Sequence, residues 1–250
     1  METKKVSIED LGAVAVLRLS NGVTNAIGPE LVETLSQTLG YVKKSYGGTV
    51  LAGGSKFFSI GLDLPNLLPL NQAQMRDFWY AFDRVVLDLF TLPLPTACAI
   101  CGHAVAGGTI LALACDFRFA CSGRVFVGLN EVRLGLPVPY LADLMLRQAA
   151  GNRAATKLLY FGELVESETA YSMGVIDGVF PKTDVEKIAL EKISQLSHDP
   201  KEAFAAIKRN RVEAVCERFE KYSKDKIDQL LKLWFSPKVQ TLLEEAAKKF

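Results

Sequence analysis

The feature that most restricts what this chain can fold into is the switching of its hydrophobic period. Short β-branched runs alternate with amphipathic helical stretches up to about residue 182, and many exchanges fall at glycine or proline. Residues 6–19 (VSIEDLGAVAVLRL) read as two strands meeting at Asp10-Leu11-Gly12, and 49–52 and 96–101 as short buried strands. Pro29 opens a helix over 30–46 with Leu31, Leu35, Leu39 and Val42 on one face, and Gly47 and Gly48 stop it. A long helix over 71–92 carries Met75, Phe78, Trp79, Phe82, Val85, Val86, Leu89 and Phe90, and Pro93 and Pro95 end it. Strands are expected at 116–119, 125–127 and 175–179, and helices at 153–160 and 167–173. From Val185 onward the pattern is helical and more charged, ending in helices at 223–233 and 237–249. Alternation followed by helices alone is an α/β fold with a helical C-terminal region, divided at 1–182 and 183–250.

Composition removes several function classes. Net charge is +1, with 29 basic and 28 acidic residues and no basic stripe, so nothing recruits nucleic acid or an anionic membrane. No apolar run reaches membrane-spanning length. Met1-Glu2-Thr3-Lys4-Lys5 lacks the apolar core of a secretory signal, and Lys248-Lys249-Phe250 is not a peroxisomal tripeptide. Five cysteines, an odd number, suit a reducing compartment, and the cytoplasm is the expected location.

The stretch Ala106-Gly107-Gly108-Thr109-Ile110-Leu111 sits where a β-rich segment gives way to an apolar helix. Glycine permits close backbone approach, and a new helix presents unpaired N–H groups with partial positive charge. Together they suit a developing oxyanion. His103 and His198 share no metal-ligand spacing with cysteine, so no metal is expected, and His103 is expected to hydrogen-bond a neighbouring loop. Cys98 and Cys101 lie three apart on a strand and face opposite ways, as two buried thiols. Glu131 stands inside a mostly apolar segment. It is either a buried carboxyl with a raised pKa, suited to taking a proton from carbon, or a strand-end glutamate that is exposed or paired with Arg133.

Several ordered motifs then resemble the crotonase (enoyl-CoA hydratase/isomerase) superfamily. They are Phe58-Ser59-Ile60-Gly61-Leu62-Asp63-Leu64, Gly102-His103-Ala104-Val105-Ala106-Gly107-Gly108, Cys115-Asp116-Phe117-Arg118, and Gly128-Leu129-Asn130-Glu131 with Leu134-Gly135-Leu136. Gly151-Asn152-Arg153-Ala154-Ala155 and Ala170-Tyr171-Ser172-Met173-Gly174 follow the same pattern. The resemblance implies a spiral of ββα units with C-terminal helices that assemble a homotrimer or a dimer of trimers. It also implies an acyl-CoA substrate, with coenzyme A arriving as part of the thioester and no permanently bound cofactor. The backbone N–H groups of Ile60 and Gly107 are expected to form the oxyanion hole, and Glu131 to be the base. Ser59, Gly61, Leu62, Asp63, Gly108 and Asn130 are expected around the substrate, with Lys56 near a CoA phosphate, while Asp63 and Asp116 also read as satisfying loop N–H groups.

Hydratases of this superfamily carry a glutamate two residues past the Gly-Gly pair, where this chain has Ile110. Adding water needs that second group, whereas a 1,3 proton shift needs one carboxylate. Gly-Leu-Asn-Glu at 128–131 and Gly-Leu-Asp-Leu at 61–64 resemble the Δ3,Δ2-enoyl-CoA isomerase branch, and isomerase is the expected activity. Hydration of an enoyl-CoA is the alternative, with Asp143, which also suits a helix N-terminus, as the candidate second acid. A non-catalytic scaffold of the same fold is a third reading. The Phe78, Trp79 and Phe82 stripe reads as core or as an acyl tunnel.

Overall fold

The computed structural model describes residues 5–248. The end residues that carry the leader and C-terminal tripeptide readings, 1–4 and 249–250, lie outside them. In chain order the strands are β1 (Val6–Leu11), β2 (Val14–Leu19), β3 (Gly48–Ala52), β4 (Phe57–Ser59), β5 (Thr96–Ile100), β6 (His103–Val105), β7 (Phe117–Cys121), β8 (Phe126–Gly128), β9 (Leu164–Glu166) and β10 (Gly178–Phe180). The helices are α1 (Pro29–Ser45), α2 (Leu64–Leu67), α3 (Gln72–Phe90), α4 (Gly107–Leu113), α5 (Tyr140–Phe161), α6 (Ser167–Ser172), α7 (Val185–Ser197), α8 (Lys201–Trp234) and α9 (Pro237–Ala247). A 3-10 turn occupies Glu131–Leu134.

Three successive ββα turns build the fold. β3, β5 and β7 lie side by side in one sheet, ordered β1-β2-β3-β5-β7-β10, while β4, β6 and β8 form a second sheet, ordered β4-β6-β8-β9. Each pair crosses from the first sheet to the second and then enters a helix, which is the spiral that the resemblance implies. The β1–β2 hairpin pairs Val6 with Leu19 through Leu11 with Val14, and the links from β2 through β3, β5, β7 and β10 are parallel. Parallel strands are covered on both faces, which is why β3 and β5 are buried at every residue.

Helix α1 begins with Pro29 at its first turn and buries Leu31, Val32, Leu35, Leu39 and Val42. Helix α3 begins with a capping box: Asn71 accepts from the Gln74 N–H, and the Gln74 side chain accepts from the Asn71 N–H. Such a cap is worth about 1 kcal/mol. Helix α5 runs through Gly151 at φ +79°, which breaks its helical geometry. Its first half, 140–150, is absent from the expected elements, and the expected helix at 153–160 is the second half.

The C-terminal helices are built into the body of the chain. Helix α7 packs on β3, β5 and β7, α8 on α3 and α5, and α9 on α2 and the 3-10 turn. Lys208 of α8 is 4% exposed, donates to the Leu94 carbonyl at 3.1 Å and pairs with Asp116 at 2.8 Å. That carboxylate also accepts from the Thr96 N–H at 2.9 Å, so one aspartate ties β5, the turn before β7 and α8 together. All five cysteines are free, with Cys98 buried and Cys101 partly buried. Among the described residues no helix is long and apolar enough to cross a membrane, and no group of three or more His, Cys, Asp or Glu could hold a metal ion.

Candidate active site

Two loops from adjacent turns of the spiral meet back to back. Gly61 follows β4 at φ +100°, and a Cβ there would stand 3.0 Å from the Val105 carbonyl and from Ala106 Cβ, and 3.2 Å from Gly107 N. At Gly107 a Cβ would reach 2.9 Å from Ile27 Cδ1 and 3.3 Å from Gly61 Cα. Only glycine lets these backbones approach so closely. Ser59 fixes the first loop: its hydroxyl donates to the Asn25 carbonyl at 2.7 Å and accepts from the Gly61 N–H at 3.2 Å. Gly108 permits the same contact from the other side, because a Cβ there would strike the Ser59 carbonyl at 2.4 Å. Asp63 caps α2, accepting from the Asn66 N–H, so Ser59, Gly108 and Asp63 shape the loops.

The amides of these loops divide into used and free. Ile27 N–H donates to the Gly61 carbonyl and Asp63 N–H to the Ile27 carbonyl, a parallel bridge that turns the intervening Leu62 N–H the other way. Neither Leu62 N–H nor Gly107 N–H has a hydrogen-bond partner among the described residues. Ile60 differs from the expectation. Its N–H donates to the Thr24 carbonyl at 2.9 Å, so that amide is already satisfied, although Ile60 still lines the cavity.

Ala106, the residue before α4, holds φ +48° and ψ −114°, a conformation that costs a non-glycine residue about 1–3 kcal/mol. It is held by its N–H on the Gly128 carbonyl at 2.8 Å and by Ile110 N–H on its own carbonyl at 3.0 Å. Thr109 locks the same corner, donating to the Ala104 carbonyl at 2.7 Å and accepting from the Gly128 N–H at 3.0 Å. Strain at this corner sets the direction of the Gly107 amide.

Glu131 opens the 3-10 turn after β8 and is 8% exposed. Burial pushes its carboxyl up to about 7, and its Oε2 has no hydrogen-bond partner. Arg133 does not pair with it: its Nε donates to the Phe161 and Gly162 carbonyls instead. Of the two readings open at the sequence level, the buried carboxyl is the one observed.

Both loops and Glu131 face a cavity of about 250 Å³. Its walls are apolar, from Leu62, Leu64, Trp79, Phe82 and Ile110 on one side to Leu230, Trp234, Leu243 and Ala246 of α8 and α9 on the other. Glu131 is the one ionisable side chain among the lining residues. Ile110 is 2% exposed and occupies the wall where a second carboxylate would stand. Asn130 lines the cavity without a hydrogen bond to Glu131, and Phe78 belongs to the core while Trp79 and Phe82 reach the cavity. Asp143 takes the helix N-terminal position, in the first turn of α5 and paired with Arg147 one turn on, and lies outside the lining, so it is not placed as a second acid. Lys56 is exposed at the start of the β4 loop, its Nζ 5.7 Å from the Phe57 ring centroid. His103 Nδ1 accepts from the Phe126 N–H at 3.1 Å, the loop contact expected of it.

A second cleft, of about 420 Å³, lies between α8 and the β7 side of the core. Its buried cations are already taken, Arg118 by Asp177 and the Val175 and Cys115 carbonyls, Lys208 by Asp116. The exposed side chains of Gln148 and Arg211 also line it.

A family model described as enoyl-CoA hydratase/isomerase matches residues 9–243. The chain belongs to the enoyl-CoA hydratase/isomerase family. Within that family it is similar to enoyl-CoA delta isomerase 1, mitochondrial, of Homo sapiens, 34% identical over 199 residues, covering 77% of this chain and 66% of the relative. The match thus spans slightly less than two thirds of that relative's length. A putative enoyl-CoA hydratase of Thermus thermophilus is 34% identical over 176 residues, covering 68% of this chain and 69% of the relative. Among solved structures, the crystal structure of human mitochondrial delta3-delta2-enoyl-CoA isomerase superposes with a TM-score of 0.93 at 29% identity, covering 98% of this chain and 97% of that one. The crotonase-type fold expected from the motifs is therefore the fold of this family member.

Proposed function

We propose that this family member shifts the double bond of a 3-enoyl-CoA from C3 to C2. The observation that carries the reading is a single buried carboxylate, Glu131, in an otherwise apolar cavity with two free backbone donors. In the proposed reaction the thioester oxygen accepts from the Leu62 and Gly107 N–H groups. Glu131 takes a proton from C2, and the electron pair moves into the carbonyl to give a dienolate. The same carboxyl returns the proton at C4 as the C2–C3 double bond forms. Donors fixed in a dry site stabilise that developing oxyanion most effectively, each typically worth about 3 kcal/mol of barrier. A carboxyl held near 7 is a stronger base toward carbon than an ordinary one. Ile110 supports isomerisation over hydration, because it puts a hydrocarbon where a second group would orient water.

The same reading assigns Lys56 to a CoA phosphate and requires no bound cofactor beyond the substrate's own coenzyme A. It takes the chain as a homotrimer, alone or paired, with residues 183–250 contributing to assembly. Tyr160 and Phe161, 76% and 64% exposed at the end of α5, are large aromatics that a second copy would cover. Five free thiols support a reducing compartment, the cytoplasm in the first instance, and relatives named mitochondrial or peroxisomal make those organelles the alternative.

The test is turnover of purified protein on trans-3-hexenoyl-CoA and trans-2-hexenoyl-CoA side by side, with Glu131→Gln as control. Conversion of the 3-enoyl to the 2-enoyl thioester, lost in the variant and with negligible hydration, is expected. Rapid hydration of the 2-enoyl thioester would overturn the isomerase assignment in favour of a hydratase. Specific acyl-CoA binding without turnover of either would leave the scaffold reading.

A further inference from the structure

Helix α4 begins at the corner that aims the Gly107 amide, and its third residue, Thr109, is 2% exposed in a helix buried at every position. Valine would fill the same space without taking a hydroxyl out of water, so the oxygen calls for an explanation. It bridges two strands. The hydroxyl donates to the Ala104 carbonyl of β6 at 2.7 Å and accepts from the Gly128 N–H of β8 at 3.0 Å. Those strands pair in parallel as far as Val105 and Gly128, so the threonine clasps the last rung of their ladder from the side. The Gly128 carbonyl accepts in turn from the Ala106 N–H at 2.8 Å. Both polar backbone groups of Gly128 are therefore held by the corner that sets the Gly107 amide.

Gly128 stands three residues before Glu131. Among the described residues neither the Leu129 N–H nor the Asn130 N–H donates to an acceptor, so Gly128 is the last backbone donor secured before the carboxyl. Beyond it the 3-10 turn holds the chain, with Arg133 N–H on the Asn130 carbonyl and Leu136 N–H on the Glu131 carbonyl, each at 3.0 Å. The Glu131 Oε2 has no partner, and Arg133 is taken up by the Phe161 and Gly162 carbonyls. The carboxyl thus takes its position from the backbone that carries it.

We propose that Thr109 is a positioning residue for the reaction, its hydroxyl fixing the distance between the amide that receives the thioester oxygen and the carboxyl that moves the proton. The inference rests on reading Gly107 and Glu131 in those roles. Thr109 itself does not line the cavity. One carboxyl has to reach both C2 and C4 while the thioester oxygen stays on its donors, so the spacing of corner and base enters every turnover. A displacement of about 1 Å at such a site costs on the order of 10²-fold in rate.

Wild type, Thr109→Val, Thr109→Ala and Thr109→Ser are compared on trans-3-hexenoyl-CoA, reading kcat, KM and the pH midpoint of kcat/KM for each. Valine is expected to lower kcat by about 10–10²-fold while KM stays within about threefold, and serine, which keeps the hydroxyl, to recover most of the loss. The midpoint should fall from about 7 in the valine protein, because a carboxyl released toward water ionises more readily. Glu131 is the one ionisable side chain lining the cavity and Arg133 is bound elsewhere, so the shift reports Glu131 itself. A clasp that served stability alone would lower the amount of active protein and leave the midpoint in place. A valine variant with kcat within about threefold of wild type, an unmoved midpoint, or a loss that serine does not recover would each overturn the inference while leaving the isomerase reading intact. Wild type without isomerase activity would overturn that reading, and this inference with it. Thr109→Ala, which crowds nothing, decides the same points if the valine variant does not fold.

Discussion

Replacing Glu131 by glutamine should make the protein more stable at neutral pH, by an amount that grows as pH rises. In the folded chain the carboxyl titrates near 7, against an ordinary value of 4.5, because the charged form is stripped of water. The native state therefore binds its proton more tightly than the unfolded chain does. Stability is greatest below 4.5 and is lost progressively as pH climbs to about 7. The full loss is 2.5 pH units, or about 3 kcal/mol, and most of it, about 2.5 kcal/mol, falls between pH 5 and pH 8. Glutamine does not titrate, so this loss disappears from the variant. Any cost of burying the amide is independent of pH and drops out of the slope. Asp83, held up to about 7 by burial, is present in both proteins and cancels. Urea unfolding of the two proteins at pH 5, 6, 7 and 8, at one fixed concentration, reads the difference directly. A difference that changes by less than about 0.5 kcal/mol over that range would refute the claim that the carboxylate is desolvated. The chemistry should mirror it, with isomerase kcat/KM rising with pH to a midpoint near 7 as the base ionises.

Three further outcomes follow from the same geometry. Gly107→Val should lower isomerase kcat by about 10²-fold or more by crowding the carbonyl position, with a near-native circular dichroism spectrum; activity within threefold of wild type would remove Gly107 from the oxyanion site. Ile110→Glu should move the midpoint of the pH–kcat/KM profile upward, since a like charge on the cavity wall disfavours ionised Glu131; an unmoved midpoint would mean that the two positions do not share the dry space. Lys208→Met strands the Asp116 carboxylate beneath α8 and should cost about 3 kcal/mol in urea unfolding, whereas a loss under about 1 kcal/mol would show that the ion pair does not secure that helix.

The sequence makes the chemistry more visible than the route of the chain. Glu131 stands out as a carboxylate among apolar neighbours, and the Gly107-Gly108 pair announces a close backbone approach, because both signals lie in residue type. The direction of an amide does not. Whether Ile60 or Leu62 offers its N–H depends on which residue bridges to Ile27, a pairing across more than thirty positions that no local pattern encodes. β4, β6 and β9 are three residues each, too short to show a period of two, so of the second sheet only β8, expected at 125–127, is readable, while the longer strands of the first stand out. The helix at 140–150 is masked by Pro137 and Pro139 before it and Gly151 after it, which punctuate like a loop. Trp79 looks like any core aromatic at helical spacing; only the folded chain reveals that its nitrogen lacks a partner.

The cavity draws its two halves from distant parts of the chain. The amides and the base come from loops anchored in the sheets, at positions 60–62, 106–107 and 131, whereas Leu230, Trp234, Leu243 and Ala246 come from the last two helices. On the proposed function, the groups that do the chemistry and much of the wall that meets the acyl chain lie on separate segments. Single substitutions at those α8 and α9 positions reshape that wall while leaving the backbone at 106–107 as it is. The same proposal puts substrate range on the α8 and α9 wall and the type of reaction on Ile110 and Glu131.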